Sequence, residues 1–352
     1  MRIGIPRELK PREGRVGLVP AAAAELVKHG HTVVIEADAG VKSGYANEQY
    51  EKAGVQVLAS ADEVFEQAEM IIKVKEPIAP DLDRLRKDHL LFCYLHLAAL
   101  PELTQRLCDI GLTAVAFETV EDDRRRLPLL APMSEIAGRL STQVATHLLH
   151  QPQGGKGLLL GGVPAAPRGK VVIVGGGVAG SNAAIVAAGL GAEVTVFDMN
   201  RDKLEAARAL GPNVTGLHAH SADIAEAVAD ADIVVGAVLV TGERAPHVIS
   251  ADMVRAMQPG SVVVDISVDQ GGCIETTHPT TYEDPTYVWE GVTHFTVSNM
   301  PGAVPRTASQ ALSAAITPYA IRLAEGNWES VASLKKGINV TGGKVVHPAL
   351  LK

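Results

Sequence analysis

The sequence predicts an α/β protein of two domains, each built on a mostly parallel sheet, one of them a Rossmann-type doubly wound domain. Three observations carry this expectation. Short apolar or β-branched runs alternate with helical stretches along the chain. Residues 170–198, KVVIVGGGVAGSNAAIVAAGLGAEVTVFD, read as a complete strand–turn–helix–strand unit. At 352 residues the chain is long for one hydrophobic core and comfortable for two.

Taken in order, residues 1–6 and 32–36 read as strands, with a helix over 21–29 between them closed by Gly30. Ser60 followed by Glu63 is a capping box that opens a helix through Ala68. Residues 70–75, 90–94 and 113–117 are short apolar runs of the kind buried in parallel sheets. A charged patch at 121–126 and the Pro-containing segment 127–132 mark the first domain boundary. Residues 134–150 then form one long helix bridging the domains, with Ser134 as its N-cap. The Gly- and Pro-rich stretch 151–170 is a loop. Its Gly154-Gly155-Lys156-Gly157 lacks the spacing and the trailing Ser or Thr of a phosphate loop. Strands follow at 232–239, 261–266 and 293–297. A helix over 304–323 returns the chain to the first domain, where the tail 338–351 ends. The expected division is thus 1–127 with 305–352 as a substrate domain, and 128–304 as a nucleotide-binding domain.

Composition excludes several classes. A net charge of −8 and no basic run make nucleic acid and anionic membranes poor partners, and 4% aromatic residues argue against a base-stacking platform. Cys93, Cys108 and Cys273 show no CxxC spacing, so neither a disulfide framework nor a metal site is expected. The polar opening MRIGIPRELKPREGR lacks the apolar core of a signal peptide, and no apolar span reaches the ~18 residues a membrane helix needs. A soluble, cytoplasmic protein is expected.

The glycine motif carries the first chemistry. Gly175 allows a tight turn, Gly177 lets the backbone approach a pyrophosphate, and Gly180 lets the helix pack on the strand. The helix N-terminus favours the anion. Asp198, 18 residues past Gly180, stands where a carboxylate binds both ribose hydroxyls and repels a 2′-phosphate, so NAD is the expected cofactor. Arg201 and Lys203 follow closely and soften that preference; Asp198 also reads as a cap for the next helix.

A nicotinamide enzyme acting on an amino or hydroxy acid needs a cation for the carboxylate and a group to move a proton. Such groups gather beyond the carboxyl ends of strands. Lys75, His96 and Glu118 stand there in the first domain, Asp269 and Asn299-Met300 in the second. His96 is the acid–base candidate, because imidazole titrates near neutrality without perturbation. Lys75 reads equally as a solvated strand-end lysine. Arg15 is indistinguishable from Arg7, Lys10 and Arg12 in a basic loop. Asp265 lies inside an apolar run and reads as structural, while Asp269 lies at the strand mouth.

The motifs GIPRELKPREGRVGLVP, KVKEP, YLHLA, APMSEIAGR, VVIVGGGVAGSNAA, VVVDISVDQGGC and TVSNMPGAVPRTAS resemble those of the alanine dehydrogenase and pyridine-nucleotide transhydrogenase family. The likeness covers essentially the whole chain. It implies NAD-dependent oxidative deamination of L-alanine to pyruvate and ammonium, and the reverse reductive amination. It also implies that Arg15 and Lys75 bind substrate, that His96 is the acid–base, and that Asp269 assists. The resemblance further marks Ser134, Val178, Asp198, Lys203, Ser221, Leu239 and Met300 as NAD contacts, and implies a homohexamer. A transhydrogenase NAD-binding subunit, another amino-acid or opine dehydrogenase, and a non-catalytic NAD sensor are the competing readings.

Overall fold

The computed structural model describes residues 1–238, 245–326 and 328–351; the expected cofactor contact Leu239 lies outside them. The chain divides into two compact units, residues 1–133 with 302–352, and residues 134–301.

The first unit holds an eight-stranded sheet. Its order is Lys344–Val345, Ile338–Thr341, Thr113–Ala116, Leu90–Cys93, Met70–Ile72, Arg2–Ile5, Thr32–Glu36 and Gln56–Leu58. The six strands from Thr113–Ala116 onward run parallel. Their apolar character follows from burial on both faces: every residue of Leu90–Cys93 and Met70–Ile72 is buried. The tail, read from sequence only as an ending, adds an antiparallel hairpin at one edge. Gly342 and Gly343 make its two-residue turn at φ of 57° and 76°, a conformation glycine adopts without steric cost. Gln56–Leu58 and, in the second unit, Val214–His218 and Thr286–Trp289 are strands that the sequence pattern did not mark. Each lies at or near a sheet edge, and their mixed exposure leaves neither an apolar run nor clean alternation.

Two expected boundaries are corrected. The bridging helix runs Ala131–Leu148 rather than from Ser134, which therefore lies inside it and is not its N-cap. Pro132 sits in the first turn, where the missing N–H has no intrahelical partner to lose. The strand expected over 70–75 stops at Ile72. The main chain still runs on beside its neighbour, with Lys73 N–H donated to the Phe92 carbonyl (3.2 Å) and Tyr94 N–H to the Val74 carbonyl (3.1 Å).

The second unit holds seven strands in the order Thr286–Trp289, Val292–Phe295, Val262–Asp265, Ile233–Gly236, Lys170–Val174, Glu193–Asp198 and Val214–His218. All neighbours are parallel except the first pair. Alternation along Lys170–Val174 feeds two cores. Val171 and Ile173 pack with Ala183, Ala184 and Ala187, while Val172 and Val174 pack with Ile224 and Val228. From Lys170–Val174 the chain winds outward to one edge and then crosses to Ile233–Gly236 on the other side. That reversal is the topological switch point at which such sheets bind ligands. Among the described residues, no helix is long and apolar enough to cross a membrane.

Candidate active site

The glycine turn lies at the switch point. Gly175 has φ of 103°, and a Cβ there would lie 2.4 Å from the Ala237 carbonyl oxygen on the neighbouring strand's exit. A Cβ on Gly180 would lie 1.8 Å from the Gly175 oxygen, so only glycine lets the helix Val178–Gly189 start this close to its strand. Among the described residues, a Cβ at Gly177 would meet nothing within 4 Å over the helix N-terminus. Among the same residues no side chain caps that terminus, and Val178, its first residue, is exposed. Uncapped N–H groups facing open space fit a pyrophosphate.

Asp198 ends the next strand. One carboxylate oxygen accepts the Gly176 N–H (2.7 Å) and lies 3.2 Å from Lys203 Nζ; the other accepts the Asn200 N–H (2.8 Å). The cap of the following helix, Arg201–Arg208, is Asn200, whose side chain accepts from the Asp202 N–H. Asp198 is thus not that helix's cap; it is tied to the glycine turn. Ser221 is exposed at the start of the helix Ser221–Ala229. Met300 is buried, and its carbonyl accepts from the Tyr282 hydroxyl (2.9 Å). Ser134 is half-buried.

The two aspartates near the end of Val262–Asp265 part company. Asp265 is buried and accepts from the N–H groups of Ser267, Cys273 and Ile274 and from the Thr277 hydroxyl. Burial nonetheless pushes its carboxyl up. Asp269 is exposed, with Asn299 N–H 3.4 Å from its carboxylate.

In the first unit the structure separates residues that sequence could not. Arg7 and Arg12 are exposed and Lys10 pairs with Glu76, but Arg15 is only 3% exposed. Its guanidinium donates to both carboxylate oxygens of Glu13, from Nε at 2.7 Å and from a terminal nitrogen at 2.5 Å. The other terminal nitrogen lies 3.2 Å from Met133 Sδ. Burial would pull the guanidinium's pKa down, but the Glu13 hydrogen bonds and charge more than restore it. A basic solvated loop is therefore the wrong description of Arg15.

His96 lies on an exposed turn with φ of 51°, a left-handed conformation uncommon outside glycine. Glu118 holds that turn. Its carboxylate accepts the His96 N–H at 2.6 Å and the Leu95 N–H at 3.2 Å. The imidazole stacks on Tyr94 at 5.9 Å between centroids and 7° between planes. Tyr94 is buried and donates its hydroxyl to the Leu129 carbonyl (2.5 Å); burial pushes that hydroxyl's pKa well up. Lys75 is half-buried, and its main chain is three residues beyond the strand end. Tyr94 therefore links two distant stretches: it bonds through its N–H to the residue before Lys75 and carries the His96 ring.

Sequence reasoning missed Glu8, Glu13, Lys73 and Asp81, all buried. Nothing in their spacing distinguishes a buried charge from a solvated one.

The N-terminal domain of the alanine dehydrogenase/PNT family matches residues 4–137, and its C-terminal domain matches residues 141–348. The chain belongs to this family. An alanine dehydrogenase of Bacillus subtilis (strain 168) is 48% identical over 358 residues, spanning 100% of this chain and 94% of its own. A solved L-alanine dehydrogenase matches with a TM-score of 0.96 at 52% identity, covering 99% of this chain and 98% of its own. A solved transhydrogenase from Sinorhizobium meliloti matches with a TM-score of 0.86 at 28% identity, covering 99% of this chain and 100% of its own. Within the alanine dehydrogenase/PNT family, the higher identity thus lies with the dehydrogenases.

Proposed function

We propose that this chain is an NAD-dependent L-alanine dehydrogenase. It converts L-alanine, NAD⁺ and water to pyruvate, ammonium, NADH and a proton, and catalyses the reverse. The observation that carries the reading is the likeness to L-alanine dehydrogenases over the whole chain, with the Val74–Lys75 peptide and the His96 ring both held on Tyr94.

When bound, NAD supplies the hydride acceptor; every other task falls to the chain. Residues Gly175, Gly177 and Gly180 leave room for the pyrophosphate at the helix start, beside Val178. Asp198, steadied by the Gly176 N–H and by Lys203, accepts from the ribose hydroxyls and disfavours a 2′-phosphate. Ser134, Ser221, Leu239 and Met300 complete the cofactor contacts by family likeness. Arg15 and Lys75 hold the substrate carboxylate and carbonyl region, which turns an encounter into a positioned reaction. With Arg15 already locked to Glu13, little side-chain entropy remains to be lost on binding.

After hydride leaves the α-carbon, water adds to the iminium carbon, oriented by the Asp269 carboxylate. One proton of the added water passes to the amine nitrogen, and His96 takes the hydroxyl proton of the resulting carbinolamine as ammonia departs. The left-handed turn and the Tyr94 stack fix where that imidazole points. Family likeness supports a homohexamer acting in the cytoplasm, which sedimentation and cell fractionation check.

The test mixes purified protein with L-alanine and NAD at alkaline pH and follows NADH absorbance, with D-alanine, L-lactate and NADP as controls. Growth of the band with L-alanine and NAD alone is the expected result. A flat trace despite NADH binding would favour a transhydrogenase-type NAD-binding subunit.

A further inference from the structure

Beneath the proposed substrate cations lies a buried ionic group that the chemistry above does not use. Glu8, Lys73 and Asp81 are 6%, 1% and 2% exposed. Lys73 Nζ lies 3.2 Å from Asp81 Oδ2 and 3.5 Å from Glu8 Oε2, at ion-pair distance from both. As a stability device this is a poor choice. Taking such charges out of water is costly, and apolar replacements of equal volume are often neutral or better. The question is what the charges hold.

They hold main chain. Glu8 Oε1 accepts the Val74 N–H at 2.6 Å, and Oε2 lies 3.4 Å from the Lys75 N. These two N–H groups follow directly on the strand Met70–Ile72 and on Lys73, whose own N–H still pairs with the Phe92 carbonyl. A carboxylate thus takes over where the sheet ladder ends, at the residue proposed to bind substrate. The Val74 carbonyl accepts the Tyr94 N–H, so the same two peptide units also set the Tyr94 backbone, two residues before His96. Glu8 itself belongs to the opening loop that carries Glu13 and Arg15. One carboxylate therefore ties the Arg15 loop to the Lys75 main chain, and Lys73, itself paired with Asp81, balances its charge.

We propose that Glu8 is a positioning residue for substrate capture, clamping the Val74–Lys75 main chain so that Lys75 and Arg15 meet one carboxylate substrate in register. This deepens the L-alanine dehydrogenase reading and rests on it. A buried carboxylate with two backbone N–H donors cannot be replaced by an amide without loss. Glutamine offers one acceptor oxygen, and its NH2 would face either a peptide N–H or the Lys73 ammonium.

The experiment first establishes L-alanine and pyruvate turnover by the wild-type protein, then compares Glu8→Gln, Glu8→Asp and Asp81→Asn. For Glu8→Gln, kcat/KM for pyruvate should fall roughly 10- to 100-fold, mostly through KM, while NADH binding by fluorescence stays at the wild-type value. Glu8→Asp, which keeps the charge at a shorter reach, should recover part of the loss. Asp81→Asn loosens Lys73 without touching the Val74 or Lys75 N–H. It should lower Tm but change KM by less than about threefold. An unchanged pyruvate KM in Glu8→Gln, or an equal rise in Asp81→Asn, would overturn the clamp in favour of a purely structural role. If Glu8→Gln does not fold, Glu8→Asp decides: a raised KM at near-native Tm supports the clamp, and an unchanged KM removes it. A wild-type protein that binds NADH but does not turn over L-alanine would sink the functional reading, and the clamp with it.

Discussion

In the first unit, among the described residues, Glu8, Glu13, Arg15, Lys73 and Asp81 are buried beside the proposed substrate groups, paired carboxylate to cation. In the second unit the glycine turn presents main-chain N–H groups over open space, steadied by one partly exposed carboxylate, Asp198. The difference follows from the ligands each would hold. A pyrophosphate is large and multiply charged, so a helix terminus and unhindered backbone suffice to bind it. A three-carbon amino or oxo acid offers one carboxylate and one reacting carbon, so few side chains must be aimed tightly at it. Aiming long cationic side chains takes buried counter-charges.

Five measurements test that contrast. The largest effect is expected from His96→Ala, which should lower kcat by about 10²–10⁴-fold while NADH fluorescence titration is unchanged. A loss smaller than tenfold would give the proton to another group and leave the stack on Tyr94 without a catalytic purpose.

Arg15→Ala strands the Glu13 carboxylate in the core. It should cost about 3–5 kcal/mol in chemical denaturation besides raising the KM for pyruvate. A denaturation midpoint equal to wild type would show that the Arg15–Glu13 pair is solvated in practice.

In the glycine turn, Gly180→Ala and Gly177→Ala should behave oppositely. The first places a Cβ 1.8 Å from the Gly175 oxygen and should destabilise by about 1–3 kcal/mol or more. The second has nothing within 4 Å to meet and should leave Tm alone, while weakening NADH by roughly tenfold, or about 1.4 kcal/mol. Equal NADH affinity in Gly177→Ala would mean the pyrophosphate lies elsewhere.

Asp198→Asn keeps an acceptor for the Gly176 N–H but removes the charge. The NADP to NAD ratio of kcat/KM should rise roughly tenfold, and a constant ratio in steady-state kinetics would count against the ribose assignment.

The smallest effect is one of pH, and it should be shared by both units. Burial depresses the pKa of His294 in the second unit and of His89 in the first, the latter also through Arg86. An imidazole whose folded pKa lies below its unfolded value near 6.5 contributes stability that is present above pH ~6.5. That stability is lost as pH falls through the lower folded pKa. Tm should therefore decline on acidification below about pH 6.5, and His294→Gln should flatten part of the slope. An unchanged slope would place His294's titration outside folding.

Much of this molecule was legible in the sequence because its signals are local. The turn Gly175–Gly180 advertises itself through Gly175 and Gly180, positions whose geometry no other residue satisfies, and the valine and isoleucine runs at 171–174, 233–235 and 262–264 mark strands buried on both faces. Other features were hidden because a residue type fits more than one position, or because they depend on neighbours distant in sequence. The start of the helix Ala131–Leu148 depended on Pro132 tolerating the first turn, while Ser134, a good cap by type, lies inside it. Short strands such as Gln56–Leu58, with little apolar periodicity, form because the sheet offers them a ladder.

From sequence alone came the fold class, the family and the position of the glycine turn, and the proposal of His96 among twelve histidines rests on the same reading. Tertiary structure alone decided that Arg15 is buried while Arg7 and Arg12 are not, that Asp265 is satisfied by its own loop while Asp269 is exposed, and that Lys73 lies between Glu8 and Asp81. The reason is physical. Backbone geometry is written in residue type at each position, but the free energy of a charge depends on what surrounds it. Those surroundings are assembled from residues 8, 13, 73, 81, 94 and 118, which only the folded chain brings together.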